Sequence, residues 1–134
     1  MAKLETIEGI GPIYAEKLRA AGVQSVNALL RAGATPEKRK ALQERTGIGH
    51  EYILDWVNRA DLMRIKGIGE EYSDLLEKAG VDTVPELAQR NPDSLYGKML
   101  EVNEEKRLVR RPPTHDMVAR WIKQAKVLDR AVSY

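Results

Sequence analysis

Apolar residues along this chain recur three and four positions apart, in short stretches each closed off by glycine or proline. Nowhere do they alternate strictly with polar residues, so strand patterning is absent. Ile53, Trp56, Val57 and Ala60 fall at i, i+3, i+4 and i+7, one face of a helix expected over residues 50–65. A helix over residues 13–21 is entered at Pro12, puts Leu18 on its buried side and ends at Gly22. Ser25 is placed to cap a helix carrying Val26, Leu29 and Leu30, and Thr35-Pro36 opens another running to about Arg45. Farther on, Thr83-Val84-Pro85-Glu86 has the spacing of a capping box, Asn91-Pro92 opens a helix, and Thr114 caps the last one. The predicted fold class is all-α.

The chain is also a duplication. Ile7-Glu8-Gly9-Ile10-Gly11-Pro12-Ile13-Tyr14 returns as Ile65-Lys66-Gly67-Ile68-Gly69-Glu70-Glu71-Tyr72, at an offset of 58 residues. The match continues through Leu18 with Leu76, Ala21-Gly22-Val23 with Ala79-Gly80-Val81, Val26 with Val84 and Leu29 with Leu87. It resumes at an offset of 65, pairing Gly49-His50-Glu51 with Thr114-His115-Asp116, Trp56 with Trp121 and Ala60 with Ala125. The second copy therefore carries seven extra residues, between Asn91 and Pro113. Two pseudo-equivalent units packed together are expected, residues 1–60 and 61–134, with the helix at about 50–65 shared between them.

A chain of 134 residues buries roughly two-thirds of its unfolded surface and needs no covalent staple. It has no cysteine, which excludes disulfides, thiolate metal sites and thiol nucleophiles. Its opening residues are charged and no apolar run approaches the ~20 residues of a membrane span, so a cytoplasmic location with no membrane partner is expected. The net charge is +2, and the excess sits in the first half: residues 1–60 hold nine Lys/Arg against seven Asp/Glu.

Gly-Ile-Gly occurs three times, at Gly9-Ile10-Gly11, Gly47-Ile48-Gly49 and Gly67-Ile68-Gly69; Arg111-Pro112-Pro113-Thr114 takes the fourth place without glycines. Hydrophobic-x-Gly-hydrophobic-Gly ahead of an amphipathic helix resembles the helix-hairpin-helix motif, a member of the SAM-like helical folds. That resemblance implies sequence-independent contact with a DNA backbone. Glycines let the chain approach a phosphate, the amides opening the next helix face outward, and the helix dipole favours an anion there. The central Ile plugs the core. Nearly the whole chain resembles a family of small bacterial tandem helix-hairpin-helix proteins known only as a domain of unknown function. The stretches that carry this are residues 9–18, 56–65, 103–106 and 110–112.

The resemblance points to Gly9, Gly11, Gly47 and Gly49 as amide donors to phosphate. Lys17, Lys38, Lys40 and Arg45 would hold flanking phosphates, the last three close to the second hairpin. Pro12 removes one amide from the first hairpin, and Glu70, Glu71 and Asp74 at the third would repel phosphate. Tyr14, Tyr72, Trp56 and Trp121 read as packing residues, and His50 and His115 as surface residues at helix starts rather than metal ligands. Some DNA glycosylases carry this hairpin followed by a catalytic lysine, but no lysine stands at the matching places after Gly11 or Gly69. With no nucleophile, paired-carboxylate or metal constellation, neither catalysis nor a cofactor is expected. The reading that follows is a non-catalytic binding module for a DNA or RNA backbone. The alternative is an adaptor that docks another protein or a second copy of itself.

Overall fold

The computed structural model describes residues 2–134, and every regular element among them is helical. A single 3-10 turn, Leu4–Thr6, precedes α1 (Pro12–Ala20), α2 (Val26–Ala32), α3 (Pro36–Thr46) and α4 (His50–Leu62). α5 (Glu70–Lys78), α6 (Val84–Ala88), α7 (Pro92–Lys106) and α8 (His115–Val127) repeat the same order. The chain divides into two compact units. One runs to Asp61 and includes Arg130–Tyr134; the other is Leu62–Asp129.

The starts of five helices are closed by their own side chains. Ser25 Oγ accepts from the Ala28 amide at 3.1 Å and Thr35 Oγ1 from Lys38 at 3.2 Å. Thr83 accepts from Glu86, Asn91 from Asp93 and Ser94, and Thr114 from Met117. Each bond satisfies an amide that the helix itself leaves without a carbonyl partner, a contribution of about 1 kcal/mol per cap. Prolines at the first or second position of α1, α3, α6 and α7 preset the backbone for entry. α4 stops at Leu62 rather than running on to Ile65. The Ile65 carbonyl is needed elsewhere, because it accepts the Ile68 amide at 3.1 Å across the turn that leads into α5.

That turn is the organising corner of each unit. In the first, the Ile10 amide donates to Ile7 O at 3.1 Å and Gly9 takes φ +97°; in the second, Gly67 takes φ +96°. A side chain at either glycine would be strained at that φ and would also meet an indole. A Cβ on Gly9 would lie 3.2 Å from Trp56 Nε1, and one on Gly67 3.0 Å from Trp121 Nε1. The tryptophans are 1% and 2% exposed. Ile10 and Ile68 are buried, as are Leu18 and Leu29 in one copy and Leu76 and Leu87, of the same core cluster as Ile68, in the other. Each such side chain withdrawn from water contributes about 1.5–3 kcal/mol.

The seven extra residues of the second copy have definite places. α6 is two residues shorter than α2, α7 is four longer than α3, and the connection before α8 is five longer than the three-residue link before α4. One added helical turn thus lengthens α7 and five residues build out the loop 107–114, offset by the two that α6 lacks. At the head of that loop, Arg107 adopts the left-handed conformation (φ +51°) that Gly47 supplies after α3. Buried Asn103 holds the loop by accepting from the Val109 amide at 2.9 Å and donating to Val109 O at 3.2 Å.

Residues 130–134 complete the first unit. Val132 is buried, and the Ser133 amide donates to Ala34 O at 2.8 Å. The Arg39 guanidinium donates to both Gly33 O and Ser133 O at 2.8 Å, and the Tyr134 hydroxyl lies 3.1 Å from Asn58 Oδ1. Arg39 is only 2% exposed, and burial lowers its pKa from the ordinary arginine value.

Deleting residues 130–134 is expected to cost the first unit about 2–4 kcal/mol, from one buried valine and three hydrogen bonds, read as a lower urea midpoint. Gly67→Ala and Gly9→Ala should each cost about 2–4 kcal/mol, since strain at positive φ and the indole contact add. Gly22→Ala, with φ +89° but open space around it, should cost about 1–2 kcal/mol. Gly11→Ala should be within about 0.5 kcal/mol of wild type.

Candidate functional site

The corners leave two helix starts without a side-chain cap, because the residues before α1 and α5 are Gly11 and Gly69. The first intrahelical bonds are Ala15 N to Gly11 O and Ser73 N to Gly69 O, both 2.9 Å. Ile13 and Tyr14 in one unit, and Glu70, Glu71 and Tyr72 in the other, therefore carry amides that the helix does not use. α4 begins in the same way: Ile53 N donates to Gly49 O at 3.2 Å, and His50, Glu51 and Tyr52 open the helix.

The second Gly-Ile-Gly has a different geometry. Gly47 is the left-handed end of α3 at φ +74°, and its amide donates to Gln43 O at 2.8 Å. The Ile48 amide donates to Thr46 Oγ1 at 3.1 Å, and the Thr46 hydroxyl donates to Leu42 O at 2.7 Å. Gly47 and Ile48 amides are thus committed inside the protein, and this corner's outward donors belong to the first turn of α4. Aromatic rings bring the starts of α1 and α4 together: Tyr14 lies 5.9 Å from Tyr52 and 5.1 Å from Trp56, centroid to centroid.

Of the basic residues read from the sequence, Lys38 and Arg45 share a face of α3, at i and i+7, and line one shallow groove. Its volume is about 440 Å³, and Gly22, Ala28, Arg31, Ala32 and Ala41 complete it. Arg45 also donates to Ala21 O at 3.2 Å, which fixes its guanidinium at the C-terminal end of α1. Gly9 and Gly11 lie at the opposite end of that helix. Lys17 and Lys40 are exposed but do not line the groove. Arg39, which reads in sequence as part of the basic run Lys38-Arg39-Lys40, is turned inward onto backbone carbonyls. Arg31 was not singled out from sequence; its place in the last turn of α2, three residues after Ala28, is the one signal that could have marked it. No carboxylate lines the groove, and among the described residues no ion pair engages Arg31, Lys38 or Arg45.

The second unit treats the equivalent places differently. The position of Arg31 is Gln89 and, counted from the start of the helix, that of Lys38 is Ser94. Its corner is clamped from α8, where Gln124 accepts from the Lys66 amide at 3.0 Å and donates to Lys66 O at 3.4 Å. The Tyr72 ring sits 5.1 Å from Trp121, and its hydroxyl donates to Arg111 O at 2.8 Å. Glu70 and Glu71 stand at the start of α5, facing its dipole with the favourable sign. His50 and His115 are both exposed, His115 in contact with Asp93, and no cluster of three His, Asp or Glu suited to a metal occurs among the described residues. No helix among them is long and apolar enough to cross a membrane.

Comparison with curated proteins and with solved structures yields no match. The family described as a domain of unknown function (DUF4332) matches over residues 8–128, from the first corner to the end of the last helix. The chain belongs to that family.

Proposed function

We propose that the chain is a cytoplasmic, non-catalytic protein of two helix-hairpin-helix units, whose first unit holds the sugar-phosphate backbone of nucleic acid without reading its sequence. The observation that carries this reading is the groove of Arg31, Lys38 and Arg45, three cations on one surface with no carboxylate among the residues lining it. A phosphate entering there releases counterions from the nucleic acid and meets no carboxylate among the lining residues. The uncapped starts of α1 and α4 add outward amides, to which glycine permits close approach at Gly11 and Gly49. Lys17 and Lys40, exposed on other faces, contribute to the field rather than to the contact.

The second unit has little of this. Glutamates open α5, and Gln89 and Ser94 replace two of the three cations. Binding is therefore asymmetric, with the first unit as the holding element. Backbone contacts of this kind position a protein and carry no base information.

The test is a titration of labelled duplex at two salt concentrations. Three phosphate contacts predict a slope of about −2.7 in log K against log salt. Arg31→Glu/Lys38→Glu/Arg45→Glu should abolish retention at low salt, whereas Lys40→Glu should change affinity by about threefold or less. An absence of binding by wild type at low salt overturns the proposal. Full binding by the triple variant overturns the assignment of the groove.

A further inference from the structure

The two units differ most where the second has gained residues, and the difference exposes a surface on the first. After the left-handed end of α7, Val109 is buried just as Ile48 is buried after α3. From there the first unit needs only Gly49 to enter α4, while the second runs through Arg110, Arg111, Pro112 and Pro113 before Thr114. This added segment lies over the start of α5. The Arg111 carbonyl accepts the Tyr72 hydroxyl at 2.8 Å, and Arg110 and Pro112 border a cavity of about 600 Å³ shared with Glu71.

Among the described residues of the first unit no segment takes that place. Ile13, the counterpart of Glu71, is 72% exposed. Tyr52, the counterpart of half-buried Met117, is 55% exposed. Tyr14, Tyr52 and Trp56 form a contiguous aromatic group with centroid separations of 5.9, 5.1 and 6.1 Å. No protein acceptor engages the Tyr14 hydroxyl among the described residues. Two exposed acids flank the patch: Glu16 lies one turn beyond Ile13, and Glu51 precedes Tyr52.

We propose that Ile13, Tyr14 and Tyr52 form a docking site for an extended, basic, proline-containing peptide of another protein, seated as residues 110–113 are seated over Tyr72 in the second unit. The occupant's chemistry follows from that internal template and from the flanking charge. The Tyr14 hydroxyl donates to a peptide carbonyl, as Tyr72 does to Arg111. Prolines lie against the rings of Tyr14 and Tyr52, because an extended proline segment is already ordered and loses little entropy on docking. Arginines of the peptide meet Glu16 and Glu51, and Ile13 replaces the acid at Glu71 with an apolar contact. This site is separate from the Arg31/Lys38/Arg45 groove, and it covers the same starts of α1 and α4 whose amides the proposed function offers to phosphate.

The test uses the full chain and a labelled peptide of the sequence Leu-Val-Arg-Arg-Pro-Pro, which is this chain's own residues 108–113. Saturable binding is expected, with amide shift changes confined to Ile13, Tyr14, Tyr52 and their neighbours. Tyr52→Ala, at an exposed position that does not threaten the fold, should weaken binding about tenfold or more. Tyr14→Phe, which removes only the hydroxyl, should weaken it about threefold to tenfold, and glutamates in place of the peptide's arginines should abolish it. The proposal is overturned by the absence of saturable binding at millimolar peptide, by equal affinity of Tyr52→Ala and wild type, or by shift changes centred on Tyr72 or on the Lys38 groove. It is equally overturned if the chain is a dimer that Tyr52→Ala converts to monomer, since a second copy would then cover the patch.

Discussion

An indole ring packed against a glycine held at positive φ is the contact on which each unit depends. Gly9 beneath Trp56 and Gly67 beneath Trp121 turn the chain through a corner too tight for a side chain. The central Ile goes inward, and the following helix begins on a glycine that cannot cap it. Core and surface properties are therefore one consequence of the same geometry. The apolar plug stabilises the corner, and the bare helix start follows from how the corner is made. The other helix starts show the contrast, because Ser25, Thr35, Thr83, Asn91 and Thr114 each spend an oxygen on amides that Gly11 and Gly69 leave open.

Duplication allowed the two copies to diverge around this shared corner. The first keeps a short link before α4, and with it an open aromatic surface and a groove of three cations. The second adds a turn to α7 and a loop that lies over its own tyrosine, pins its corner with Gln124, and places glutamates where an anion would approach. One copy is closed by its own chain and the other presents its surfaces outward.

Much of this is written locally in the sequence. Helix order, the caps, and the burial of Trp56, Trp121 and the central isoleucines follow from residues within a few positions of each other, and the duplication with its seven-residue excess from matches 58 and 65 residues apart. What escapes local reading depends on distant contacts. Arg39 looks like one more cation in Lys38-Arg39-Lys40, yet its partner Ser133 lies 94 residues away and turns it inward. Residues 130–134 have no counterpart in the repeat, and buried Val132, the backbone bond to Ala34 and the contacts with Arg39 and Asn58 show why they join the first unit. Arg31 joins Lys38 and Arg45 because α2 and α3 lie side by side, a pairing no periodicity encodes. The Gly47 corner repeats the letters of Gly9-Ile10-Gly11 but not the turn, since a helix runs directly into it and Thr46 takes the Ile48 amide.

Amide hydrogen exchange read residue by residue tests the corner most directly. The Ile10 and Ile68 amides, bonded across the glycine turns, should exchange as slowly as helical interiors, while Ile13, Tyr14, Glu71 and Tyr72 exchange close to the rate of an unstructured chain. Slow exchange at Ile13 and Tyr14, or fast exchange at Ile10 and Ile68, would contradict a corner that buries its isoleucine and turns the next helix's amides outward.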